Sequence, residues 1–99
     1  MIRRIVKMTF KPSACSDFLV LFESKKNAIR SFPGCQHLEL WRTTENGNIF
    51  MTYSHWHSVA DLEAYRHSAL FQSTWAATKV LFSDRPEAWS LDLASEVEV

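Results

Sequence analysis

Two alternating runs separated by an Asn-Gly pair constrain this chain more than any other feature. Cys35 to Thr43 sets Leu38, Leu40 and Arg42 against His37, Glu39, Trp41 and Thr43, and Asn48 to Trp56 sets Ile49, Met51, Tyr53 and His55 against Phe50, Thr52, Ser54 and Trp56. Successive side chains of a strand point to opposite faces, and Asn46-Gly47 suits the positive backbone angles of a tight hairpin turn. The two runs are therefore predicted to be antiparallel neighbours, and the remaining elements must be arranged around them.

Upstream, Ile2, Val6, Met8 and Phe10 share one parity, which predicts a strand over Ile2 to Phe10 that Pro12 stops. Ser13 is a plausible N-cap for an amphipathic helix whose apolar positions are Phe18, Leu21, Phe22, Ala28, Ile29 and Phe32. Lys25 interrupts that stripe and snorkels along its edge, and Pro33-Gly34 ends the helix.

Downstream, Ser58 with Asp61 three residues later makes a capping-box pattern, and Val59, Leu62 and Tyr65 give the following helix its apolar side. The phase shifts at His67-Ser68. Phe71, Trp75 and Phe82 then restart it, predicting a short helix, a break with Ser68 as second cap, and a longer helix ending near Ser83. Asp84-Arg85-Pro86 reads as a turn and Ala88 to Leu93 as a fourth strand.

The order β-α-β-β-α-β predicts an α+β, ferredoxin-like domain over residues 1–93, a four-stranded antiparallel sheet with its helices on one face, followed by a short acidic tail over 94–99. The other face has no helix left to cover it. It would present Ile5, His37, Trp41 and Tyr53, and a half-apolar face on a neutral surface predicts a homodimer made sheet to sheet.

Charge narrows the partners. Eleven Lys and Arg balance eleven Asp and Glu, so the chain has no field to draw in nucleic acid or an anionic membrane. No run approaches the roughly 20 apolar residues of a membrane span. Cys15 and Cys35 have neither CxxC spacing nor a zinc pattern and read as reduced thiols, and no base is placed to make Cys35 a nucleophile. The expectation is a cytoplasmic protein with no nucleic-acid or membrane partner.

Within Met51 to Trp75, four aromatics (Trp56, Tyr65, Phe71, Trp75) and three histidines (His55, His57, His67) crowd one strand-to-helix crossover. The strand ending YSHW, the capped helix SVADLEAYRHS, the following ALFQSTW and the FPGC that closes the first helix resemble the antibiotic biosynthesis monooxygenase-like family of dimeric α+β barrel proteins. The resemblance covers about Ile2 to Leu93. It implies a homodimer whose two sheets form a barrel, with a cleft in each subunit between sheet and second helix. It also implies oxygenation, without a cofactor, of small aromatic, quinol or anthrone-like substrates. The heme-degrading branch of that family uses an Asn on the first strand, a Trp on the second helix and an iron-ligating His further along it. Those positions here look like Val6, Tyr65 and Trp75, which argues against heme degradation.

Cofactor-free oxygenation needs a ring-stacking surface, a proton acceptor and a group that stabilises a developing oxyanion. His67 is the candidate base, since imidazole titrates near neutral pH and a side chain at the helix break can face the cleft; alternatively it ties the break to a neighbouring carbonyl. Tyr65 either orients a substrate oxygen or is an amphipathic core residue. Trp56, Phe71 and Trp75 either stack a planar ligand or pack as core, with Val6, Met8 and Phe10 as the floor. His55 and His57 invite a metal reading but find no third ligand at a recognised spacing, so no metal is expected. Two readings compete with an enzyme: a non-catalytic module that binds a small ligand, and a dimeric scaffold whose cleft Phe71 and Trp75 fill.

Overall fold

A computed structural model describes residues 1–45 and 47–99. The chain runs β1 (Ile2–Thr9), a 3-10 turn (Pro12–Ala14), α1 (Cys15–Arg30), β2 (Cys35–Arg42), β3 (Ile49–Trp56), α2 (Val59–Arg66), α3 (Ala69–Lys79) and β4 (Glu87–Leu91). The strands form one antiparallel sheet in the order β2-β3-β1-β4, the ferredoxin-like arrangement. All the helices lie over one face. No helix among the described residues is long and apolar enough to cross a membrane.

Alternation decides what each face receives. The even-numbered residues of β1 and β3 point inward, where Met8, Phe10, Phe50 and Trp56 are buried. On the outward face, Trp41 stacks on Tyr53 at 4.7 Å between ring centroids and His37 lies 4.9 Å from His55. Ile5 pairs with Tyr53 on one side and Trp89 on the other, so the outward face is the ring-bearing one that the alternation predicts.

Local signals explain most boundaries. Gly34 ends the link from α1 at φ +90°, and a Cβ there would come within 2.4 Å of the Asp61 side chain. Only glycine lets the start of α2 settle against this turn. Ser58 caps α2 by accepting from the Asp61 amide at 3.1 Å while its hydroxyl donates to the Asp61 carboxylate at 3.0 Å. The carboxylate thus binds the capping hydroxyl, where a full capping box would send it to the Ser58 amide. Ser68 caps α3 through the Phe71 amide at 3.1 Å, so the helix break lies where the phase shift places it.

Some boundaries differ. Ser13 caps nothing, because Pro12 starts a 3-10 turn and α1 begins at Cys15 without a side-chain cap. Helix α3 ends at Lys79, four residues earlier than its periodicity suggests, because Phe82 leaves the helix to bridge Phe10. Asn46 of the hairpin signal lies outside the described residues, while Gly47 takes φ +74° and β2 and β3 pair as expected. The last strand stops at Leu91, and residues 92–99 are exposed without regular structure.

Candidate functional site

The floor of the site follows from which small residues the alternation turns inward. Across the sheet, Val6 lies between Thr52 and Ala88, and Arg4 lies between Ser54 and Ser90. One step along, Met8 faces Phe50 and the space is filled. Small side chains in two adjacent rows leave a cavity of about 290 Å³ under the helices, at the lower end of the range for ligand pockets.

Its wall is a run of rings. Trp56 stacks on Tyr65 at 4.8 Å and 25°, Tyr65 meets Phe71 edge-on at 5.2 Å, and Phe71 stacks on Trp75 at 5.8 Å and 11°. Trp56, only 1% exposed, donates its indole N–H to Ser54 Oγ at 3.0 Å and so buries no unpaired donor. All four rings line the cavity, with Val6 and Met8 beneath them and Phe18, Phe22 and Ile29 of α1 closing one side.

Among the polar side chains that line this space, three bear most on its chemistry. The Tyr65 hydroxyl has no hydrogen-bond partner among the described residues, and burial, with a smaller contribution from Cys35, pushes its pKa up to about 12. It is a neutral donor at physiological pH. Arg4, half-buried on β1, donates to Ser90 Oγ at 3.0 Å. Burial first, and then the charge of Arg66, hold Arg4 below the ordinary arginine value. Arg66 also lines the cavity and is engaged by Glu63 Oε1 at 2.9 Å.

Of the residues singled out in the sequence, Val6, Met8, Trp56, Tyr65, Phe71 and Trp75 are brought together around one space. Phe10 is not on its surface: it is 0% exposed in the adjoining core, stacked on Phe18 at 4.2 Å. His67 is placed differently from the cleft-facing expectation. Its side chain is 78% exposed, and Nδ1 donates to the Glu63 carbonyl at 2.8 Å. The reason is local, since His67 is the C-cap of α2 and its ring folds back onto the same Glu63 carbonyl that accepts from its backbone N–H. Arg4 was missed, although it shares the inward parity of Val6 and Met8; a cation in an otherwise apolar row was the available signal.

The donor set is poor for metals. Among the described residues no group of three or more His, Cys, Asp or Glu is placed to hold an ion. His55 lies on the outward face hydrogen-bonded to the Tyr53 hydroxyl at 2.8 Å, while His57 is exposed beyond the strand. No His or Cys lines the cavity.

Comparison with known proteins agrees with the architecture. A family model described as antibiotic biosynthesis monooxygenase matches residues 1–77. Among solved structures, an antibiotic biosynthesis monooxygenase superposes with a TM-score of 0.90 at 18% identity, covering 96% of this chain and 100% of that one. A conserved protein of Methanosarcina mazei Go1 gives 0.86 at 20% identity over 91% and 89% of the two chains. A protein of Mycobacterium tuberculosis gives 0.87 at 18% over 98% of each. Identities this low speak to the fold alone. No curated protein matches the chain.

Proposed function

The chain belongs to the antibiotic biosynthesis monooxygenase family, and from that premise we propose that it is a cofactor-independent monooxygenase acting on a small aromatic or quinol-type substrate between the sheet and α2. The observation that carries the reading is the run of rings from Trp56 to Trp75 along one side of an open, apolar cavity. A planar substrate stacks there away from water. Tyr65, neutral and unpartnered, donates a hydrogen bond to a substrate oxygen and steadies negative charge as it develops. In the anthrone-type case a ring CH₂ becomes C=O: O₂ supplies the new oxygen, its second atom leaves as water, and the substrate supplies all the electrons.

The test is oxygen uptake by the purified protein on a panel of quinols, catechols and anthrone-type phenols, with Tyr65→Phe and His67→Ala beside it. Protein-dependent uptake that falls at least tenfold in Tyr65→Phe is expected, since one well-placed oxyanion donor is worth on the order of 10²–10³ in rate. His67→Ala, whose ring stands outside the cavity, is expected to stay close to the parent. A large loss in His67→Ala would return the base role to that residue. Thermal stabilisation by a panel compound without uptake would favour the binding-module reading.

The same reading includes a homodimer formed through the outward face of the sheet. Supporting it, Trp41, Trp89 and Leu91 on that face are 41%, 44% and 39% exposed, and apolar side chains left uncovered on one sheet face are a mark of an interaction surface.

A further inference from the structure

Arg4 is anomalous where it stands. It lies on the inward face of β1, an interior strand of the sheet with β3 on one side and β4 on the other. A guanidinium partly withdrawn from water loses hydration that a bonded anion would replace, yet the group bonded to Arg4 is the neutral Ser90 hydroxyl. No carboxylate forms a salt bridge with it among the described residues. That single bond leaves most of its five N–H donors free.

The surroundings answer the charge only at a distance: Glu63 acts on Arg4 without forming a salt bridge to it. Arg66 brings a second guanidinium to the same cavity, and Glu63 is already committed to it at 2.9 Å. Glu87 touches the cavity from β4, where it is exposed and forms no salt bridge to Arg4 among the described residues. An apolar, ring-walled space therefore has in its floor a cation to which no carboxylate among the described residues is bonded.

We infer that the ligand of this cavity is an aromatic anion, its ring lying along the Trp56–Trp75 wall and its carboxylate or ionised phenol oxygen held by the Arg4 guanidinium. The planar fork of arginine matches such an oxygen pair or phenolate, and a charge-assisted bond in an apolar site is about twice as strong as a neutral one. The inference rests on the reading of the cavity as a ligand site and is independent of the oxygenase chemistry. It deepens that reading by making the substrate acidic: a neutral ring of the same shape would leave Arg4 as bare as it stands now.

The experiment is calorimetric titration of the full chain with 2-naphthoate and its neutral isostere 2-naphthamide, two-ring probes suited to about 290 Å³. Naphthoate is expected to bind on the order of tenfold more tightly. Arg4→Gln should bring naphthoate down to the amide's affinity and leave the amide unchanged, while Arg4→Lys retains part of the preference. Should Arg4→Gln lose its folded circular-dichroism signal, the ratio of the two probes on the parent decides. Equal affinity on the parent would overturn the anion requirement and leave the ring-binding cavity standing. Failure of both probes to bind would overturn ring binding and the anion with it.

Discussion

The two ends of the inward sheet face are built from similar residues and come out differently. At one end Phe10, Phe18 and Phe50 meet at centroid distances of 4.2, 5.7 and 5.3 Å, and a cluster completed by Met8 and Cys15 leaves no space. At the other, Cys35, Trp56 and Leu62 form a second cluster, and the cavity lies between the two. The helices supply rings to both. What differs is the floor: Phe50 and Met8 rise to meet the rings at the filled end, whereas Thr52, Ser54 and Ala88 do not. A ring count says how much apolar surface a fold has, and the size of the residue opposite decides whether it becomes core or pocket.

The largest expected effect breaks the filled end. Phe10→Ala removes a fully buried ring that touches three others, and such truncations cost about 3–5 kcal/mol. Urea unfolding should show it directly. A loss below about 1 kcal/mol would mean that this end is as loosely filled as the other.

Next in size is an alkaline loss of stability at the hollow end. Tyr65 ionises near 10 in an unfolded chain and near 12 in the fold. Below pH 10 both states keep the proton and the group is neutral in either. Between these values the unfolded chain releases it first, so stability falls as pH rises, by about 2–3 kcal/mol in all. Unfolding measured across that range should show the fall in the parent and lack it in Tyr65→Phe. Identical slopes would place the Tyr65 hydroxyl in water.

How much of this was legible in the sequence follows the same division. The strand pairing, the helix break at His67-Ser68 and the division into two faces rest on period and caps, which are local and survive folding. The cavity rests on what lies across the sheet from what, and the register that places Ala88 beside Val6 joins residues far apart in sequence. Rings at helical spacing identified the wall but not the void below it. Arg4 was hidden by its neighbours, since the one cation sharing the parity of Ile2 and Val6 reads as noise in an apolar pattern until its face is known to be covered. His67 shows the converse: its chemistry suited a base, but the Glu63 carbonyl one turn back, which also accepts its backbone N–H, took its Nδ1.

A smaller effect turns the hollow end into the filled one. Thr52→Ile puts a larger apolar side chain in the floor opposite Val6, and filling a cavity of this kind commonly adds about 0.5–2 kcal/mol. Melting temperature should rise slightly while affinity for aromatic probes drops at least tenfold. Unchanged affinity would show that ligands bind away from the floor.

The smallest effect on folding is expected on the outward face, where rings are as dense but nothing covers them. Trp41 stacks on Tyr53 at 4.7 Å and donates its indole N–H to Glu39 at 2.7 Å, which, with His37, holds that carboxylate below its usual range. With 41% of the residue exposed, Trp41→Ala should change the stability of a subunit by no more than about 0.5 kcal/mol. Its effect on association should be far larger, because aromatic residues at the centre of an interface are typically worth 2 kcal/mol or more. Sedimentation over a range of concentrations separates the two quantities. A dimer weakened at least tenfold with an unaltered unfolding curve would give the outward rings a purpose distinct from the inward ones. Association left unchanged would move the interface off this face and leave Trp41, Tyr53 and Trp89 there without the purpose that the inward rings have.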